Sequence, residues 1–280
     1  MQEIPSTHCV KINDIDLYYE KYLHSQSKNT IVLLHGFLSS SFSFRKLVPL
    51  LIKDFNLILI DLPPFGKSGK ARNYRYSYES VSKTVLQLLE KMGDQNIYAA
   101  GHSMGGQIVL NMLNQRPGFI KKGILLSSSG YLPRSKKHLV LSSYLPFFHR
   151  FVKYHLGKTG VIGNLNHVVY DKAIIDEEMI NGYSAPFDDP YIFRALTKMI
   201  RHREGDLDSK VLLTIDTPCL LIWGEHDRVV PPDIGKRLAN DLPNSKLVIL
   251  SGAGHLIPEE KPEEVFEEIQ NFIQSDQSFS

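Results

Sequence analysis

One serine in the chain has surroundings that suit nucleophilic chemistry. Ser103 lies in Gly101-His102-Ser103-Met104-Gly105, a G-x-S-x-G pentapeptide. An apolar run, Asn96–Ala100, precedes it, and a run of helical character, Gln107–Leu113, follows. A serine hydroxyl attacks a carbonyl efficiently only when it is exposed beside a base. A sharp strand-to-helix turn exposes it by holding the serine in a strained backbone conformation. Glycines at 101 and 105 then leave room where side chains would collide across the bend. The first helical turn also aims free N–H groups at a developing oxyanion.

Such a serine needs a base, and the base needs an orienting acid. His255, in Gly252-Ala253-Gly254-His255, and Asp227, in Gly224-Glu225-His226-Asp227, supply those types, each just after an apolar run. Glu225 is the rival acid, two residues earlier, before the loop can reach the histidine. The run at 119–126 ends in Ser127-Ser128-Ser129-Gly130, so no carboxylate is available there. His35 and His102 fall near the same place and read as hydrogen-bonded structural groups. His226 beside Asp227 lacks a third ligand at metal spacing, so no metal site is expected.

The elements that must position these groups are legible as runs. Thr30–Leu34 and Asn56–Ile60 are continuously apolar, as in parallel strands covered on both faces. Further strands are expected at 119–126, 218–223 and 246–250. An N-terminal hairpin is expected from Thr7–Ile12 and Ile15–Tyr22, broken at Asn13-Asp14. Helices are expected after the serine-rich loop through about Leu51, and at Tyr78–Met92, Asp233–Asp241 and Pro262–Ile273. Strand–helix alternation implies an α/β fold with a mostly parallel, doubly wound sheet. Loops after parallel strands open on one edge, where Ser103, Asp227 and His255 would meet.

From Tyr131 to Gly205 the alternation stops, and aromatic and basic residues accumulate. This stretch reads as a helical insertion after the sixth strand. The expected organisation is a discontinuous core, 1–130 and 206–280, with a helical cap or lid at 131–205. The cap aromatics read as packing and its basic residues as a solvated face.

Composition narrows the function classes. The chain has 280 residues, 42% hydrophobic and 22% charged, as expected of a soluble globular protein. A net charge of +2 gives no electrostatic case for nucleic acid or membrane as the main partner. Cys9 and Cys219 are far apart and read as thiols in a reducing compartment. No apolar run reaches membrane-spanning length, and Met1–Pro5 carries no secretory pattern. The expectation is a cytoplasmic monomer or small homo-oligomer, without cofactor, acting on a small molecule.

Five motifs in order resemble those of the α/β-hydrolase family, in its serine-nucleophile group of esterases, lipases, haloperoxidases and carbon–carbon bond hydrolases. They are His35-Gly36-Phe37, Asp61-Leu62-Pro63-Pro64-Phe65-Gly66-Lys67-Ser68, Gly101–Gly106, Trp223–Pro231 and Gly252–His255. The order Ser, Asp, His is that family's order. The resemblance implies Ser103 as nucleophile, His255 as general base and acid, and Asp227 as its orienting partner. It also implies an oxyanion hole made by the backbone N–H groups of Phe37 and Met104. Pro64 departs from the family's loop, which carries glycine there. The family's carbon–carbon hydrolases have asparagine before the serine and tryptophan soon after the histidine; here these are His102 and Leu256-Ile257-Pro258. The implied activity is hydrolysis of small to medium carboxylic esters through an acyl-serine intermediate. Carbon–carbon bond hydrolysis, perhydrolysis and a triad-retaining signalling receptor stay open beside it.

Overall fold

The computed structural model describes residues 4–189 and 191–275. Two N-terminal strands, β1 (Ser6–Ile12) and β2 (Ile15–Tyr22), form the expected hairpin, with Asn13 and Asp14 both at positive φ in its turn. Next come β3 (Thr30–Leu34), a 3-10 turn at Ser41–Phe44, and the short helix α1 (Val48–Leu51). They are followed by β4 (Asn56–Ile60), α2 (Tyr78–Met92), β5 (Ile97–His102), α3 (Met104–Gln115) and β6 (Lys122–Leu126). The β6 strand starts later than the apolar run suggested. Pro117-Gly118 forces a turn, with Gly118 at φ 79° and Phe119 bonded back to Arg116, and pairing with β5 begins only where Lys121 N–H donates to Ile97 O (2.8 Å).

The connection from β6 to the next strand is helical. It holds α4 (Lys137–Ser142), α5 (Phe148–Gly157), α6 (Gly160–Val168), α7 (Glu177–Ser184) and α8 (Ile192–His202). Its two ends meet, because Asp206 N–H donates to Leu132 O (2.8 Å) while the Asp206 carboxylate accepts from Ser129 Oγ (2.5 Å). After α9 (Ser209–Leu212) the alternation resumes with β7 (Cys219–Gly224), α10 (Pro232–Asp241) and β8 (Ser245–Leu250). The described chain ends in α11 (Ile257–Glu260) and α12 (Pro262–Gln274). The α11 turn is too short to show a period in the sequence.

All eight strands form one sheet, in the order β1-β2-β4-β3-β5-β6-β7-β8. β1, β2 and β4 pair antiparallel, and every pairing from β4 onward is parallel. Alternate residues of the apolar runs feed two cores. Val32, Leu34, Ile58 and Ile60 face the layer holding α2 and α3, while Ile31, Leu33, Leu57 and Leu59 face α1 and α12. Burial on both faces explains why these runs lack polar alternation. It also puts β5 in the centre of the sheet, with its carboxyl end beside those of β3 and β6.

The cap helices are held to the core by an ion-pair cluster at one corner. Arg45 reaches the fully buried Glu259 (3.1 Å) and, from the α7 side, Glu178 (2.7 Å) and Asp176 (3.7 Å). A carboxylate removed from water like Glu259 costs several kcal/mol unless paired, so this contact fixes the corner more than it adds net stability.

Candidate active site

Ser103 occupies the junction between β5 and α3 with φ 52° and ψ −117°. A side chain held there costs about 1–3 kcal/mol, which the surroundings must supply. They do so with backbone bonds: Ser103 N–H donates to Leu126 O, and Ser103 O accepts from Gly106 and Ser129 N–H, each at 3.0 Å. The glycines have steric reasons. A Cβ on Gly101 would stand 2.2 Å from Gly105 O, and one on Gly105 would stand 2.0 Å from Leu34 O. Those atoms are backbone and cannot yield. Replacing Gly105 by alanine is therefore expected to destabilise the fold by about 3 kcal/mol or more, read as a lowered denaturant midpoint. Gly157→Ala, where a Cβ meets nothing within 4 Å, should leave that midpoint nearly unchanged.

His255 sits in the loop between β8 and α11 and is buried. Its Nδ1 bonds Asp227 Oδ2 at 2.7 Å, and because a carboxylate only accepts, Nδ1 is the donor and Nε2 carries the lone pair of the neutral ring. Asp227 is fully buried at its side chain, and its other oxygen accepts from Val229 N–H (2.8 Å) and Val230 N–H (2.9 Å). A buried carboxylate with three donors is held in direction. Glu225 points elsewhere: it is exposed and accepts from Ser251 Oγ (2.7 Å). Gly224 lets the two loops approach, since a Cβ there would lie 2.0 Å from Gly254 O.

The histidine loop is held from three further sides. His255 O accepts from His102 Nε2 (2.8 Å), and His255 N–H donates to Val168 O at the end of α6 (2.7 Å). Glu260 then bridges the loop to the cap, with Oε1 accepting from Gly254 N–H (3.0 Å) and Oε2 from Tyr170 N–H (2.7 Å). Burial raises the Glu260 pKa, against those hydrogen bonds, which lower it. Nothing in the sequence separated Glu260 from the helix-start acids around it. Its role comes from Gly254 and Tyr170 arriving from distant parts of the chain.

His102 and His35 take structural bonds. Burial, then the neighbouring His255, pushes His102 down to about 3, so its ring stays neutral near pH 7. His35 Nδ1–H donates to Gly36 O (2.7 Å) and its Nε2 accepts from Leu62 N–H (2.8 Å), which also orders the loop carrying Pro63-Pro64. That loop keeps its turn despite the missing Pro64 donor, through Phe65 N–H to Leu62 O (2.7 Å). His226 stacks on Tyr170 with ring centroids 4.3 Å apart. Among the described residues no group of three or more His, Cys, Asp or Glu is placed to hold a metal.

Gly36 brings the β3 loop against the serine, since a Cβ on it would lie 3.2 Å from Ser103 Cβ. Phe37 follows Gly36 and Met104 follows Ser103, and among the described residues neither backbone N–H donates to a protein acceptor. Ser103 itself is half-buried, and among the described residues its hydroxyl makes no protein hydrogen bond. The serine–imidazole bond is thus open in this structure. Such bonds often close only around substrate. The rings of His102, next to Ser103, and of His255 are 4.8 Å apart at their centroids. A cavity of about 400 Å³ lies against Phe37 and is lined from α5 and α8 by Phe148, Phe151, Val152, Leu196 and Met199; Ser103 and His255 are not among its lining residues.

This geometry can be set against known proteins. A family model described as the alpha/beta hydrolase fold matches residues 29–159 and 181–262. This chain belongs to that family. A relative from Bacillus subtilis (strain 168), "Uncharacterized hydrolase YugF", is 50% identical over 262 residues, covering 94% of this chain and 96% of the relative. A second relative, "2-hydroxy-6-oxononadienedioate/2-hydroxy-6-oxononatrienedioate hydrolase 2" of Pseudomonas putida, is 27% identical over 291 residues, covering 93% and 92% of the two chains. Among solved structures, a thermophilic esterase from Thermogutta terrifontis superposes with a TM-score of 0.78 at 20% identity, covering 96% of this chain and 98% of that one, a likeness of fold. Like its relatives, the protein is a hydrolase of the α/β fold. No described helix is long and apolar enough to cross a membrane.

Proposed function

We propose that this α/β hydrolase is a carboxylic-ester hydrolase that works through an acyl-serine intermediate. The observation that carries the reading is the 2.7 Å bond between His255 Nδ1 and the buried Asp227 carboxylate, beside a serine held at positive φ. With Nδ1 protonated, Nε2 is the atom that takes the Ser103 proton as Oγ attacks the ester carbonyl. The carbonyl oxygen becomes an oxyanion facing the Phe37 and Met104 N–H groups. The imidazolium returns the proton to the departing alcohol, leaving Ser103 acylated. Water then attacks the acyl-serine, giving its proton to His255, and the acid leaves as Ser103 recovers its hydrogen.

The cavity supports an apolar acyl or alcohol group. Its lining between α5 and α8 is aliphatic and aromatic, with Arg203 the one lysine or arginine among the lining residues. A diacid substrate such as the P. putida relative's name describes would bring two carboxylates to a wall that offers little to pair them. Two measurements test the reading. A fluorophosphonate should label one residue, Ser103, and p-nitrophenyl esters should turn over repeatedly. Within the short-chain esters, kcat/KM should climb roughly fourfold per added methylene until the cavity is full, since each buried CH2 is worth about 0.8 kcal/mol. Folded protein that neither labels nor cleaves any ester in the series, or that cleaves only vinylogous diketone acids, would overturn the ester reading. A single burst without further cycles would make the protein a receptor.

A further inference from the structure

The cap carries a surface that the triad does not use. No aspartate or glutamate occurs between Asp94 and Asp171, and residues 131–170 hold six cationic side chains: Arg134, Lys136, Lys137, Arg150, Lys153 and Lys158. The same stretch exposes large apolar groups. Leu141, Tyr144, Leu145, Phe147, Phe151 and Tyr154 are each between 54% and 74% exposed. Phe151 and Tyr154 lie three apart on α5, and Phe147 precedes the helix with Arg150 set over its ring at 4.8 Å. Monomeric soluble proteins rarely leave so many large apolar side chains bare in one place. The whole-chain net charge of +2 conceals this face, because the balancing acids lie elsewhere. Two of the cap's own, Asp176 and Glu178, are paired with Arg45 of the core.

We propose that the α4–α5 face of the cap is a docking surface for anionic phospholipid bilayers. A second copy of this chain fits poorly, since a two-fold contact would press six cations against the same six. An interface of mixed phenylalanine, tyrosine, leucine and lysine is what lies in the headgroup layer of an anionic membrane, with apolar tips inserted and cations near the phosphates. The face is also continuous with the cavity. Phe151 belongs to both, and Phe148, Leu139 and His155 line the cavity from α4 and α5. Docking in this orientation sets an apolar phase against the cavity wall. This departs from the expectation drawn from net charge, that a membrane is no partner.

The test is co-sedimentation with phosphatidylglycerol vesicles against phosphatidylcholine vesicles, using the full chain. Binding is expected on the anionic vesicles alone, and it should weaken as salt rises. Each cation near such a surface contributes about fivefold in affinity. Arg150→Glu with Lys153→Glu should therefore lower binding at least about tenfold. Phe147→Ser with Tyr154→Ser should also release the protein. None of these four lines the cavity. All variants should keep the melting temperature and the turnover of a water-soluble ester. Equal binding to both vesicle types, or variants that bind as the parent does, would overturn the proposal. Pelleting without vesicles that the aromatic substitutions abolish would assign the face to self-association and overturn it as well.

Discussion

Ser103→Ala is expected to lower ester turnover by about a millionfold, leaving the small residual rate that binding and an oxyanion hole give alone. Its partner, Ser103→Gly, should be equally inactive yet more stable. The difference is backbone strain. Alanine keeps the Cβ that makes φ 52°, ψ −117° costly, so its melting temperature should match the parent's. Glycine removes a strain of about 1–3 kcal/mol and adds back about 0.5–1 kcal/mol of chain entropy. The net gain of about 1 kcal/mol corresponds to a rise of about 2 °C in a chain of this size. Equal melting temperatures for the two variants would mean the turn stores no strain. Retained turnover in the alanine variant would remove Ser103 from the chemistry.

Asp227→Asn should cost about ten-thousandfold in turnover, because the amide offers an N–H where the ring N–H must be accepted and favours the wrong imidazole tautomer. The shape is nearly unchanged, so labelling by a fluorophosphonate should slow in parallel while the fold survives. Glu225→Gln is the matched control. That side chain is exposed and bonded to Ser251, and its loss should leave turnover within about twofold. If Glu225→Gln were the damaging change and Asp227→Asn the silent one, the acid would have been assigned to the wrong side of the turn.

Much of the fold was legible because its strands are buried on both faces. Thr30–Leu34 and Asn56–Ile60 read as parallel strands, and they occupy those bounds. The G-x-S-x-G turn was legible for a related reason. Backbone oxygens stand about 2 Å from where Gly101 and Gly105 would place a Cβ, so only glycine can appear there. The beginning of β6 was misread because apolarity continued through Phe119 and Ile120 across a turn set by Pro117-Gly118. The helices within the 131–205 stretch were not legible in detail. Periodicity cannot show that Phe148 and Leu196 face one cavity. The cap cations likewise read as a solvated face, yet Arg201 is bonded to Ser143 through Nε (2.9 Å) and covers Tyr144.

The bridge through Glu260 bears on how substrate can enter. Val168 and Tyr170 belong to the cap, yet they are stitched to the strap that bears His255. Prising the cap away at this corner would orphan three or four main-chain groups and let the imidazole swing. The corner therefore behaves as the fixed leaf of a door. An opening that leaves the His255 strap in place lies elsewhere along the rim of the cap.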